Sequence, residues 1–178
     1  MMSKSFTLRP TQQEFVKRGL SVRPITPEDE EFLYTLYASS REEELSCVDW
    51  DAAFKKQFLR MQFRAQHQFY HEHFVEPDFL MILLREKAIG RIYIDRRHNE
   101  LTLAEITLLP EYRDRGIGSI FIQDLMAEAS EKGLPVRLHV EHFNRARSLY
   151  TRLGFQHLED KGVYFHLEWR PEIVATPL

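Results

Sequence analysis

The sequence is almost devoid of cysteine, since Cys47 is the single one among 178 residues. A lone cysteine cannot form an internal disulfide bond, so the sequence does not resemble the disulfide-stapled domains of oxidising compartments. The segment Met1 to Pro10 also lacks the apolar block of a secretory signal. These two absences predict a cytoplasmic protein.

Long apolar runs and basic runs are missing as well. No segment approaches the roughly 18 consecutive apolar residues that a membrane-spanning helix needs. Lys and Arg number 24 against 27 Asp and Glu, a net charge of −3. The basic residues form no run long enough for the stripe that binds duplex nucleic acid. We therefore expect neither a membrane nor a nucleic acid as partner.

The eight histidines do not form a metal-binding pattern. Zinc sites need closely spaced ligand pairs with a third and a fourth ligand nearby. Only His67/His71 and His71/His73 are near neighbours in the chain. We expect no bound metal.

The length of the chain suits one domain with a single core. Residues 1–19 are polar and basic with few apolar positions, so we interpret them as an N-terminal extension outside the core. The domain itself is predicted to span residues 20–170, and residues 171–178 are predicted to form a C-terminal tail.

The first half of the domain contains a strand and two helices. Leu20–Pro24 is predicted to be the strand. Thr26 followed by Pro27 is typical of a helix start, and this helix is expected to end near Ser39 or Ser40. Asp49 is the predicted cap of a long second helix that continues to about Phe74. Its predicted buried stripe consists of Phe54, Phe58, Met61, Ala65 and Phe69.

The second half is richer in strands, and together the two halves predict an α/β fold. Alternating apolar residues predict an antiparallel meander of three strands, followed by a strand-helix-strand unit, a short helix and two final strands. The segments are Phe79–Leu84, Ala88–Asp95, Leu101–Leu109, the helix from Ile117 to Gly133, Val136–Glu141, the short helix Asn144–Leu153, Phe155–Leu158 and Val163–Trp169.

The most informative segment is a glycine-rich turn from a strand into a helix, Arg113-Asp114-Arg115-Gly116-Ile117-Gly118-Ser119. Glycine lets phosphate oxygens approach the backbone, and the N-terminus of a helix offers unpaired N–H groups and a partial positive charge. The alternative is that the glycines only permit a tight turn. A dinucleotide fingerprint would need a small residue where Phe121 stands, and a Walker loop would need Lys-Ser/Thr after Gly118.

In this context the turn resembles the coenzyme A motif of the GCN5-related N-acetyltransferase (GNAT) family, Arg/Gln-x-x-Gly-x-Gly/Ala. A second signature of that family, a strand followed by Asn, a short helix with Leu-Tyr and then Gly-Phe, is matched too. The matching residues are Leu138, His139, Val140, Glu141, Asn144, Ala146, Leu149, Tyr150, Gly154 and Phe155. One departure is Arg145, where many relatives have proline.

The resemblance implies a mostly antiparallel central sheet with one splayed parallel pair of strands and helices on both faces. It also implies acetyl-CoA as cosubstrate. Its pantetheine would lie in the splay, paired with backbone at Ile106 and Leu108, and Asn144 and Arg147 would lie beside it. The pyrophosphate would be held by Arg113, Asp114, Arg115, Gly116, Ile117, Gly118 and Ser119.

In such enzymes an amine attacks the thioester directly, which requires a general base and a general acid. The resemblance makes Tyr150 the expected acid, because the tyrosine would lie near the sulfur and a phenol with a reference pKa of about 10 can protonate a thiolate. The base is open between His139, Glu105 and a water relay. The acceptor is a primary amine of unknown identity.

The acceptor site is expected along the first two helices, at the acidic stretch Arg41 to Glu44 and the aromatic face around Trp50, Phe63 and Tyr70. A homodimer through the last strands is possible on this sequence. Two alternatives to an enzyme stay open. One is a non-catalytic acyl-CoA-binding sensor, and the other is an interaction module whose turn binds a different phosphate ligand.

Overall fold

A computed structural model describes residues 11–74 and 77–172, and this part of the chain forms one seven-stranded sheet with helices on both faces. The strands are ordered β1-β2-β3-β4-β5-β7-β6 across the sheet. In chain order the elements are α1 Gln12–Arg18, β1 Leu20–Pro24, α2 Glu30–Ser46, α3 Ala52–His73, β2 Pro77–Leu84, β3 Lys87–Arg96, β4 Leu101–Leu108, α4 Ile117–Lys132, β5 Val136–Glu141, α5 Arg147–Arg152, β6 Gln156–Lys161 and β7 Tyr164–Trp169.

The sheet is antiparallel except where β4 meets β5. These two strands pair in parallel only over Leu101–Leu103, opposite Val136–Leu138, and the rest of β4 has no partner on that side. The register between β3 and β4 shifts at the same point, leaving Ala104 as an extra residue. Such a β-bulge bends and twists its strand, which accompanies the separation from β5. The predicted mixed fold with one splayed parallel pair is confirmed.

The two faces of the sheet carry separate cores because successive strand residues point to opposite sides. In β2, Leu80 and Ile82 pack into the larger core with α1, α4 and α5. Met81, between them, packs into the smaller core with α2 and α3. The larger core packs against Ile106 and Leu108 at the C-terminal end of β4, while the smaller one positions α2 and α3 over the opposite face.

Helix α2 continues past the predicted end at Ser39 or Ser40 and stops at Ser46. The reason is local: the hydroxyl groups of Ser39 and Ser40 donate to the carbonyls of Leu36 and Tyr37 at 2.7 and 2.6 Å, so both serines stay inside the helix. The predicted cap of α3 at Asp49 is also wrong. Asp51 caps this helix, and its carboxylate accepts the N–H of Phe54 at 2.8 Å.

The predicted buried stripe of α3 is exposed. Phe54, Met61 and Phe69 are 48%, 60% and 51% exposed, whereas Phe63 on the opposite side of the helix is 3% exposed. Helix α3 thus has two apolar faces. Spacing at three and four residues identified a real stripe, but only the packing against the sheet decides which stripe is buried.

The expectation that residues 1–19 lie outside the core is wrong for Phe15. This residue lies in α1, is 8% exposed and packs its ring 4.6 Å from that of Phe121 in α4. Phe15 and Val16 are the apolar residues of this short helix, and nothing in the sequence shows that Phe15 is buried while Val16 is 72% exposed. The remainder of the predicted extension, residues 1–10, and most of the predicted tail lie outside the described residues.

Neither a membrane span nor a metal cluster is found in the ranges 11–74 and 77–172. No helix there is long and apolar enough to cross a bilayer. No group of three or more His, Cys, Asp or Glu side chains in those ranges is arranged to hold a metal ion.

Gly90 lies on β3 directly beside the end of β4. A Cβ atom at this position would lie 2.3 Å from the carbonyl oxygen of Thr107 and 2.7 Å from Cδ2 of Leu108. We therefore expect Gly90→Ala to lower the free energy of unfolding by about 2 kcal/mol, because backbone must move to admit the methyl group. Urea unfolding measures the change. Gly118→Ala is the matched control, since its Cβ would meet only ordinary contacts at 3.9 Å.

Candidate active site

The segment Arg113–Ser119, called here the phosphate loop, joins β4 to α4. Asp114 and Gly116 have left-handed backbone, with φ of 58° and 73°, and Gly116 is the N-cap of α4. The amides of Tyr112 and Arg113 donate to the carbonyls of Leu109 and Pro110. Within the described part of the chain, the amides of residues 114–119 donate to no protein acceptor. Alternating backbone of this kind forms a concave nest of N–H groups that binds anions.

The guanidinium of Arg113 is used within the protein. Its Nε donates to the carbonyl of Leu108 at 2.8 Å, and Nη2 donates to Oγ of Ser39 in α2 at 3.3 Å. Burial lowers the pKa of Arg113, and the nearby positive charge of Arg145 adds to this effect. Arg145 itself forms an ion pair with Asp114 at 2.8 Å. Arg113 therefore ties the end of β4 and the phosphate loop to α2.

The unpaired edge of β4 leads directly to this loop. Ile106 and Leu108 lie on this edge, and their side chains pack against the larger core. Their positions therefore match the expected open side of a splay. The edge can receive hydrogen bonds from an extended ligand in the way that a neighbouring strand would supply them.

Tyr150 on α5 lies in the core between α4 and the last strands. Its side chain is 6% exposed and its ring meets that of Phe155 edge-on at 5.7 Å. Burial, together with the negative charge of Glu105, raises the pKa of Tyr150 to about 12. The phenol is therefore protonated at neutral pH, and the structure brings it within electrostatic reach of Glu105.

Glu105 lies on β4 at the bulge, and only one of its oxygens is hydrogen-bonded. Oε1 accepts from Arg91 Nε at 3.0 Å and Nη2 at 2.6 Å, and from the hydroxyl of Thr107 at 2.8 Å. Oε2 is buried without a hydrogen-bond partner in the described structure. Buried polar atoms are nearly always paired, so an unpaired carboxylate oxygen indicates a place where a ligand or substrate hydrogen bond is missing.

Two further tyrosines lie around this carboxylate. Burial raises the pKa of Tyr70, and the carboxylate of Glu105 raises it further. Burial likewise raises the pKa of Tyr37 on α2, against an opposing effect from Arg41. Both phenols are therefore neutral at neutral pH. On the side of α2 and α3, the neighbours of Glu105 are protonated tyrosines.

His139 is not part of this cluster. It lies on β5, and its ring stacks on that of His166 in β7 at 4.4 Å. Partial burial lowers the pKa of His139, and the charges of His166 and Lys161 lower it further. The charge of Glu105 contributes to the raised pKa of Tyr150. Tyr150 itself packs into the larger core, whereas Glu105 pairs with Arg91, which bonds to Gln66 on α3.

Asn144 lies in the turn between β5 and α5, and Arg147 is the first residue of α5. Oδ1 of Asn144 accepts the N–H of Ala146 at 2.8 Å. Arg147 donates to the carbonyl of His142 at 2.6 Å, and its guanidinium lies 4.4 Å from the ring centre of Phe165. Both side chains hold the turn beside the splay, and both are exposed.

The residues expected to line the acceptor site lie on two different sides of α3. Phe63 and Tyr70 face the sheet, whereas Trp50 is 38% exposed on the outer side against Phe54. Arg41 contacts Glu141 at the end of β5 at 3.4 Å. Between α2 and α3 lies an open cavity of about 550 Å³. Its lining residues are Thr35, Ala38, Ser39, Glu42, Leu45, Ser46, Lys55 and Leu59.

Sequence reasoning missed Arg91 and Gln66. Arg91 is 1% exposed and connects Glu105, Tyr93 and Gln66, whose Oε1 accepts from Arg91 at 2.8 Å. A signal was present, because an arginine at the centre of the apolar strand β3 needs a buried anionic partner. The partner itself lies on another strand, so only the fold identifies it.

Comparison with known proteins agrees with this geometry. The model of the Acetyltransferase (GNAT) family matches residues 32–155. The [Ribosomal protein bS18]-alanine N-acetyltransferase of Haemophilus influenzae is 30% identical over 87 residues, which are 48% of this chain and 60% of that protein. Human cysteine-rich protein 2-binding protein is 34% identical over 83 residues, 45% of this chain and 10% of that protein. The chain thus spans less than two thirds of these relatives.

Solved structures share the fold. The PaiA N-acetyltransferase of Thermoplasma acidophilum, in complex with coenzyme A, superposes with a TM-score of 0.66 at 21% identity, covering 85% of this chain and 99% of that one. An acetyltransferase of Thermus thermophilus gives 0.63 at 17% identity, covering 85% and 97%. The family match extends over α2 to α5 and includes the splayed strands and the phosphate loop, so the chain belongs to the GNAT family of acetyltransferases.

Proposed function

We propose that this protein transfers the acetyl group of acetyl-CoA to a primary amine by direct attack within a ternary complex. The observation that carries the proposal is the row of unpaired amides at residues 114–119, placed at the open end of the splay. A Cβ atom at Gly116 would meet only Nη1 of Arg18, at 3.7 Å, so the nest is open to a ligand. The similar fold of a coenzyme A complex supports the same ligand here.

In this proposal the phosphate loop binds the pyrophosphate, and the β4 edge at Ile106 and Leu108 aligns the pantetheine. Arg113 holds the strand end and loop in place through the Leu108 carbonyl. Asn144 and Arg147 border the pantetheine on the other side of the splay. Acetyl-CoA supplies the thioester that the amine attacks.

We assign the proton transfers to Glu105 and Tyr150. Glu105 is the acceptor for the proton of the amine, directly or through one water, because its Oε2 has no well-aligned hydrogen bond although the hydroxyl of Tyr70 is a neighbouring donor. Tyr150, protonated at neutral pH because its pKa is raised to about 12, donates to the departing thiolate. His139 is the competing base, but its stacking on His166 favours Glu105.

Acetyl-CoA binding can be tested before any acceptor is known. At about a hundredfold its dissociation constant, acetyl-CoA should stabilise the protein by about 2.7 kcal/mol in thermal unfolding, whereas ATP and NAD at the same concentration should not. Gly116→Ala should abolish most of this stabilisation, because a methyl group then stands in the nest. A shift of the same size with ATP would contradict coenzyme A as the ligand.

Gly133→Ala is the matched control for Gly116→Ala. Gly116 and Gly133 cap the two ends of α4 with φ of 73° and 64°, and a Cβ at Gly133 would meet nothing within 4 Å. Each alanine should cost about 1–2 kcal/mol of left-handed strain. Only Gly116→Ala should also remove the response to acetyl-CoA. Equal responses in the two variants would contradict the assignment of the phosphate loop.

The acceptor is a primary amine, and the relative from Haemophilus influenzae suggests the N-terminus of a protein as one candidate. The cavity between α2 and α3 carries one acidic and one basic side chain, Glu42 and Lys55, so its charge does not select among primary amines. A panel of polyamines, aminoglycosides, amino acids and peptides with N-terminal alanine, monitored by release of free thiol, identifies the class. Binding of acetyl-CoA without thiol release for any amine would instead favour a sensor.

A further inference from the structure

A basic pocket lies beside the phosphate loop, on the side away from β5. Its cavity of about 320 Å³ is formed by α1, the β2–β3 turn and the start of α4. Four cationic side chains line it, Lys17, Arg18, Arg85 and Arg115, together with Leu20, Leu84 and Ile117, and no carboxylate does.

The turn that carries Arg85 has a specific backbone. Arg85 has a left-handed φ of 47°, and its N–H donates to the carbonyl of Gly19 at 2.8 Å. A Cβ atom at Gly19 would lie 3.0 Å from Cγ of Arg85. The glycine thus leaves room for the arginine stem, which directs the guanidinium along the pocket wall rather than into the sheet.

Arg18 joins the pocket to the phosphate loop. Its Nε pairs with Glu14 at 2.9 Å, and Nη1 donates to the carbonyl of Arg115 at 3.2 Å. Arg115 lies against Tyr112, with its guanidinium 5.7 Å from the ring centre. Helix α1 therefore contacts the loop that is proposed to hold the pyrophosphate.

Among the described residues, only one of the four cations in the pocket has an acidic partner. Arg18 is paired with Glu14, whereas Lys17, Arg85 and Arg115 form no ion pair with any described residue. Cations that share one concave surface repel each other, and a bound anion would relieve the repulsion. The four cations come from three separate segments, which are α1, the β2–β3 turn and the phosphate loop, and all of them line the same cavity.

We propose that this pocket binds the 3′-phosphate at the ADP end of coenzyme A. The proposal rests on the proposed function, since it places the pyrophosphate on the adjoining loop. Arg115 and Ile117 belong to both sites, which puts the pocket next to the pyrophosphate along the same cosubstrate. A phosphate monoester carries a charge of about −1.5 to −2 and accepts several charge-assisted hydrogen bonds. Helix α1, which lies outside the family match at residues 32–155, would thus extend the family's cosubstrate site.

The test compares coenzyme A with 3′-dephospho-coenzyme A by calorimetry on the full chain. The wild type should bind coenzyme A about tenfold more tightly, a preference that shrinks as salt is raised. Lys17→Ala and Arg85→Ala should each remove most of that preference and leave the affinity for 3′-dephospho-coenzyme A unchanged. Arg64→Ala, which removes an exposed cation from α3, is the control and should bind both ligands as the wild type does.

The outcomes separate this proposal from the proposed function. Equal affinities for the two coenzymes in the wild type would overturn the pocket assignment and leave the acetyl-CoA site intact. If, in that case, inorganic phosphate still bound in an Arg85-dependent manner, the pocket would belong to a separate phosphate-bearing molecule. Failure of both coenzymes to bind the wild type would overturn the proposed function and this proposal together.

Discussion

Replacement of Glu105 with glutamine is expected to lower kcat by about 10²–10³-fold, the usual contribution of a general base, and to leave the affinity for acetyl-CoA unchanged. Glutamine keeps a carbonyl oxygen for the contacts of Oε1 with Arg91 and Thr107. It removes the basic electron pair at Oε2, the buried oxygen that has no partner in the described structure. The measurement is a steady-state rate with an acceptor from the amine panel.

The pH profile distinguishes Glu105 from His139. A histidine base acts only when deprotonated, so catalysis by His139 would give a rate that falls as pH is lowered through the pKa of its imidazole. That pKa is lowered by partial burial and by His166, so this fall would lie below the ordinary histidine range. Because Glu105 is the assigned base, His139→Gln should keep the wild-type pH profile and a rate within about threefold of wild type. A changed pH profile in His139→Gln, with the rate of Glu105→Gln unaffected, would reverse the assignment.

Replacement of Tyr150 with phenylalanine is expected to lower kcat by about 10²-fold, because the thiolate then leaves without a positioned proton donor. The packing against Phe155 is kept, so stability and acetyl-CoA affinity should change little. Because the pKa of Tyr150 is raised to about 12, no loss of rate from its ionisation should appear between neutral pH and about pH 11.

Tyr70→Phe is the matched control for Tyr150→Phe. Tyr70 is also a buried phenol that senses the charge of Glu105, but it lies on α3 on the other face of the sheet. Its loss should alter kcat less than that of Tyr150 and should act chiefly on the KM for the amine. Wild-type kcat in Tyr150→Phe, or equal losses of kcat in the two variants, would remove Tyr150 from the role of proton donor.

The sequence patterns correctly predicted features that depend only on residues close together in the chain. The strand Leu20–Pro24 begins and ends as predicted, and α4 begins at Ile117 immediately after the glycine that caps it. A left-handed glycine and the amides that follow are close in sequence, so the phosphate loop could be predicted from seven consecutive residues. The resemblance of the two motifs to one family extended this to the splayed strands.

The sequence patterns did not predict which side of a helix is buried, because that depends on the elements that pack against the helix. The apolar stripe through Phe54 and Phe69 is real, yet the sheet covers the opposite stripe, which contains Phe63. Phe15 alone could not indicate that α1 docks on α4.

The sequence by itself determined the family and the position of the glycine-rich turn before α4, because both depend on backbone geometry and spacing within short segments. Only the tertiary structure decided which acid–base residues meet. Glu105, Arg91 and Gln66 come from β4, β3 and α3, and the pairing of β3 with β4 beneath α3 brings them together. Long-range strand pairing creates that cluster, and no periodicity in the chain encodes the distance between its members.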